Sequence, residues 1–125
     1  MSDDNGIRID VETEYLEGES APEEERYVFA YTITIRNDGE RAARLLTRYW
    51  RIVDDNGRVR EVNGDGVVGE QPYLRPGEGF RYTSGAHLET PLGTMTGTYG
   101  MVDADGAHFD AAIPAFLLST PRTLH

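Results

Sequence analysis

Hydrophobic and polar residues alternate with a period of two along most of the chain, and the alternation predicts strands. From Ile7 to Tyr15 apolar or strand-compatible residues hold every odd position and charged ones every even position, as in a half-buried strand. Leu16 to Glu25 has no period, with Gly18, Ser20 and Pro22 set among glutamates, and reads as an exposed acidic loop. Between Arg26 and Arg36, Tyr27, Phe29, Tyr31, Ile33 and Ile35 form one face and Val28, Ala30, Thr32 and Thr34 the other. Both faces are poor in charge, which predicts a central strand. Ala43 to Val53 predicts another, with Leu46, Trp50 and Ile52 on one side and Leu45, Tyr49 and Val53 on the other.

Asp54-Asp55-Asn56-Gly57 is a hairpin signal, since Asn-Gly accepts the positive φ values of a type I′ turn. Val59 and Val62 follow in a short strand. Residues 63–79 are dense in glycine and proline and predict a long loop. Phe80 to Thr83 resumes strand character, and 84–93 reads as a second loop. Thr94 to Val102 is a glycine-interrupted strand, Asp103-Ala104-Asp105-Gly106 a turn, and Ala107 to Ile113 a strand ended by Pro114, before a packed tail at Phe116-Leu117-Leu118. About seven strands separated by turn signals predict an all-β fold, a two-sheet antiparallel β-sandwich with Trp50 near its centre, over one domain of residues 1–125.

Composition agrees: Val, Ile and Thr number 25 and aromatics 12, against 22 for Ala, Leu, Met and Lys together. No cysteine is present, which excludes disulfides and thiolate sites. All 12 cations are arginine, which excludes lysine-dependent chemistry. The net charge of −10 argues against nucleic acid and anionic membranes as partners. Residues 1–25 carry −9 of it. Met1 to Gly6 has no basic or apolar leader character, and no apolar run reaches the roughly 18 residues of a membrane span, so a cytoplasmic location is expected.

Gly64, Gly66 and Gly69 spell GxGxxG, but Pro72 and Pro76 follow where a dinucleotide site needs a helix. The glycines are read first as a bulged, tight connection between sheets. The other reading is a nest of backbone N–H groups that holds a phosphate or pyrophosphate with Arg58, Arg60 or Arg75.

The run Gly66-Val67-Val68-Gly69-Glu70-Gln71-Pro72, the spaced set Leu74, Pro76, Gly77, Glu78, Phe80, Tyr82, Ser84 and Gly85, and the later Leu88, Thr90, Pro91, Gly93, Met95, Gly97, Tyr99 and Met101 resemble the ApaG family. Phe109, Ile113, Pro114, Phe116 and Leu118 continue the match, as does Trp50-Arg51-Ile52 upstream. The resemblance implies a fibronectin type III-like (immunoglobulin-like) sandwich, a link to cobalt tolerance and magnesium handling, and, from similar domains appended to eukaryotic F-box proteins, a protein-interaction module. Residue by residue it carries over only the glycine loop at Gly64, Gly66 and Gly69.

Enzyme signatures are thin. Ser84-Gly85 lacks an elbow context. His87, His108 and His125 show no metal-ligand spacing, although His108 and Asp110 share a strand face. Asp103 and Asp105 resemble part of a calcium loop but read as a hairpin turn, and Glu17, Glu19 and Glu23 to Glu25 as a solvated loop. Catalytic residues, metal ligands and cofactors are accordingly expected to be none. The chain is read as a binding module that docks a protein partner through an edge strand or the loops 63–79 and 84–93, with Tyr73, Arg75 and Tyr82 as candidate interface residues. The alternative is a small-ligand protein that binds a phosphate-containing molecule at Gly64, Gly66 and Gly69 with Arg60 and Arg75. Either a monomer or a homodimer fits.

Overall fold

The computed structural model describes residues 6–121. Met1 to Asn5 and His125 lie outside them. Eight strands carry the chain: β1 (Ile7–Tyr15), β2 (Tyr27–Asn37), β3 (Ala43–Asp54), β4 (Val59–Asp65), β5 (Tyr73–Leu74), β6 (Gly79–Leu88), β7 (Leu92–Asp103) and β8 (His108–Ser119). One sheet runs β1-β2-β6. The other runs β4-β3-β7-β8, with the two-residue β5 added beside β3. All pairings are antiparallel. The predicted two-sheet sandwich is thus the fold, with β5 as the strand the Gly/Pro-rich segment concealed.

Alternation explains the core. Phe29, Tyr31, Ile33 and Ile35 of β2 are buried, as are Trp50 and Ile52 of β3 and Met95, Tyr99 and Met101 of β7. Trp50 sits at the centre as predicted, with its ring 5.3 Å from Tyr31, 5.8 Å from Phe116 and 6.5 Å from Tyr99. These edge-on geometries suit the charge distribution of aromatic rings. The acidic loop is shaped by two single 3₁₀ turns, Glu17–Glu19 and Pro22–Glu24.

The strands depart from the sequence reading at a bulge and at element ends. In β3 the register shifts between Leu45 and Thr47, and this bulge returns Leu45 to the buried face of Trp50, whereas strict alternation placed Leu46 there. The loop expected at 84–93 is mostly strand, because Ser84 to Leu88 pair with Tyr31 to Tyr27. Only Glu89 to Pro91 remain between β6 and β7. Pro114 does not end β8: Met95 pairs with Phe116 and Gly97 with Ile113, so Pro114 and Ala115 occupy a bulge. β8 lies at a sheet edge, where a missing N–H is tolerated.

Candidate functional site

The glycine loop begins inside β4, where Gly64 lies opposite Arg48 of β3. A Cβ on Gly64 would stand 2.7 Å from the guanidinium carbon, so its absence lets Arg48 lie across the strand. Arg48 Nη1 donates to the carbonyls of Asp65 and Gly66 at 3.0 and 2.9 Å. The Gly66 amide donates to the Leu46 carbonyl at 2.8 Å, and Val67 and Glu70 exchange N–H to carbonyl bonds at 2.8 and 2.9 Å. Those two bonds close a turn in which Val68 has φ 43° and Gly69 φ 81°. Two successive positive φ values are the type I′ pattern. The amides of Gly66, Val67 and Glu70 are therefore directed at carbonyls of the protein, and the glycines have an architectural use.

Of the cations expected near this loop, Arg75 has its amide bonded to Glu78 Oε1 at 2.8 Å in the turn before β6. Arg60 reaches across to β6, donating through Nη2 to the His87 carbonyl, with Nη1 3.4 Å from His87 Nε2. Arg48, which the sequence reading did not single out, is bonded to the loop instead. Nothing local marks it, because its relation to Gly64 arises only from pairing of β3 with β4.

β4 and β6 end their respective sheets. Between them opens a cleft of about 310 Å³, lined by Arg48 and Arg60, by Trp50, Ile52 and Met95 on its floor, and by Ser84 and His87 on the opposite lip. At one end Asp54, its side chain fully buried, accepts the Glu89 amide at 2.7 Å and stands 3.8 and 3.9 Å from Arg58 and Arg60. Burial lowers the Arg60 pKa, and the neighbouring Arg58 charge adds to the shift while Asp54 and Glu89 oppose it. Burial likewise holds His87 below its ordinary value, reinforced by Arg60, Arg26 and Arg58. A run of cations thus borders one opening of a protein whose net charge is negative.

The three candidate interface residues separate. Tyr73 is 47% exposed, with the Arg44 guanidinium 5.3 Å from its ring centre. Arg75 is exposed nearby in sequence. Tyr82, by contrast, points inward: it is buried and its hydroxyl hydrogen-bonds that of Tyr99. Inner and outer positions of β6 were indistinguishable without knowing which side meets the second sheet. The Asp103 carboxylate accepts the amides of Asp105 and Ala107 at 2.9 and 3.0 Å, as a hairpin turn uses it. His108 and Asp110 are exposed on β8. Among the described residues, no group of three or more His, Asp or Glu is placed to hold a metal ion, and no helix is long and apolar enough to cross a membrane.

Residues 17–103 match the family model described as the ApaG domain. The chain belongs to the ApaG family. It is 60% identical over 127 residues to Protein ApaG of Azoarcus sp. (strain BH72), covering all of both chains, and 56% identical to Protein ApaG of Dechloromonas aromatica over the same span. Among solved structures, a putative ApaA protein from Bordetella pertussis superimposes with a TM-score of 0.91 at 49% identity, covering 94% of this chain and 95% of that one. The X-ray structure of a Northeast Structural Genomics Consortium target gives the same TM-score at 56% identity, covering 98% and 92%. The ApaG sandwich of these relatives is therefore also the frame that carries the loop and cleft described above.

Proposed function

We propose that this ApaG-family chain is a non-enzymatic binding module that docks a protein partner along the free edge of β4. The observation behind this reading is that β4 ends its sheet with Val59 and Val62 45% and 41% exposed. An edge strand with exposed apolar side chains suits addition of an extended segment from another chain, whose backbone pairs with the edge while side chains give specificity. Val68, 54% exposed on the turn after β4, is a third exposed apolar side chain near this edge.

The test is affinity capture with the wild-type chain and with Val59→Lys/Val62→Lys. A bound protein that the wild type retains and the double variant releases, at unchanged thermal midpoint, supports the reading. Equal retention by both, or no retained protein, overturns it. The second reading, a phosphate or pyrophosphate at Gly64, Gly66 and Gly69, draws support from the Arg48 guanidinium lying on Gly64. Saturable pyrophosphate-dependent shifts of those three amides would favour it over the edge-docking reading.

A further inference from the structure

We propose that Asn56 is a site of spontaneous deamidation, a reaction that the fold permits at the β3–β4 hairpin tip and suppresses at Asn63. The chain has three Asn-Gly steps, Asn5-Gly6, Asn56-Gly57 and Asn63-Gly64. Asn5 lies outside the described residues. In such a step the following backbone nitrogen attacks the side-chain carboxamide, and glycine favours the attack because no Cβ obstructs it. At Asn56 the Gly57 nitrogen bonds to Cγ, and the Cγ–Nδ2 bond breaks. Nδ2 leaves as ammonia, taking up the Gly57 amide proton, and a cyclic imide remains. Water then opens either C–N bond of the imide to give aspartate or isoaspartate, each with a negative charge that asparagine lacks.

The geometry of the hairpin tip suits this reaction. Asn56 and Gly57 are both exposed between β3 and β4, and a Cβ on Gly57 would meet nothing within 4 Å, so the space beside its nitrogen is open. Asn56 Oδ1 accepts the Arg58 amide at 3.1 Å. The ring that this bond closes contains both Cγ and the Gly57 nitrogen, which keeps the reacting atoms close. The same Arg58 amide stabilises the negative charge that develops on Oδ1 during attack. Nδ2, the leaving nitrogen, makes a long 3.4 Å bond to Glu89 Oε1. The Gly57 N–H donates to the Asp54 carbonyl at 2.9 Å, and that bond opens with the exposed tip, where local unfolding costs little.

Asn63-Gly64 is held differently. It lies within β4, opposite Tyr49 and Arg48. Because the Gly66 amide donates to the Leu46 carbonyl, alternation along the ladder directs the Gly64 N–H at the Arg48 carbonyl. The Arg48 guanidinium also covers Gly64, 2.7 Å from where a Cβ would stand. Its nitrogen reaches Asn63 Cγ only after β4 has parted from β3.

The test incubates the full chain at mildly alkaline pH, folded and in urea, and locates deamidated peptides by their gain of about 1 Da in mass. In the folded protein Asn56 is expected to convert at least about tenfold faster than Asn63. In urea, where the ladder is gone, the two rates should agree within about threefold. A folded Asn56 that reacts no faster than Asn63 would overturn the proposal. So would a rate difference of the same size in urea, which would assign the preference to the flanking residues instead of the fold. Slowing of Asn56 by more than about a hundredfold on folding would show that the hairpin protects it, and would overturn the proposal as well. No partner or ligand enters the experiment, so its failure is separate from failure of edge docking.

Discussion

Val68 holds φ 43° beside Gly69 at φ 81°, and a β-branched residue pays for that backbone region in steric strain of about 1 to 3 kcal/mol. Its side chain is mostly exposed, so little packing is lost by changing it. Val68→Asn places Asn-Gly at the two positions where a type I′ turn favours it. The expected result is a gain of about 1 kcal/mol in urea unfolding. Gly66→Val should act oppositely: φ is +64°, and a Cβ would collide with the Glu70 carbonyl. A loss of about 2 kcal/mol or more is expected. The three glycines were visible in the sequence, but their reasons were not. Gly64 admits a side chain from β3, Gly66 avoids a backbone oxygen, and Gly69 needs only its φ.

At the scale of elements, alternation located the strands because each sheet has one buried face, and it failed where a bulge or a proline changed the count. Leu45 and Leu46 are equally apolar, so the sequence did not say which one the β3 bulge turns inward. Ser84-Gly85-Ala86-His87 reads as a loop by composition, but pairing with β2 overrides propensity there. The same distinction between composition and pairing separates two glycines. At Gly97 a Cβ would overlap the Tyr49 carbonyl and press on Trp50, whereas at Gly85 its nearest neighbour is the Phe29 carbonyl at 3.6 Å, an ordinary contact. Gly97→Ala is therefore expected to cost about 2 to 4 kcal/mol and Gly85→Ala less than about 0.5 kcal/mol, read from denaturant midpoints. Equal effects would contradict the placement of Trp50 against β7. The cleft was illegible for a related reason, since its lips come from two sheets and its floor from two further strands, β3 and β7.

Across the whole molecule, three phenols from both sheets meet in the core. Tyr82 and Tyr99 share a hydrogen bond between β6 and β7, and Tyr31 lies close enough to influence both. Burial raises all three pKa values. Hydrogen bonding to Ser84 and the Arg48 charge partly oppose this at Tyr31, and the Tyr82 charge adds to it at Tyr99. The folded state thus keeps protons that the unfolded chain releases near pH 10. Their contribution to stability is fully present below about pH 10 and is lost as pH rises from there toward the folded values. Tyr82→Phe alone removes the Tyr99 hydroxyl's partner and should cost about 1 to 3 kcal/mol at neutral pH. Tyr82→Phe/Tyr99→Phe removes both hydroxyls, so its neutral-pH loss should be smaller than that of the single variant. The double variant should also lose less stability than the wild type between about pH 8 and pH 10.5, because two of the raised phenols no longer titrate. Urea midpoints of the three proteins at both pH values decide the point. Parallel losses in all three would mean that alkaline destabilisation comes from charge elsewhere and not from the phenols joining the two sheets.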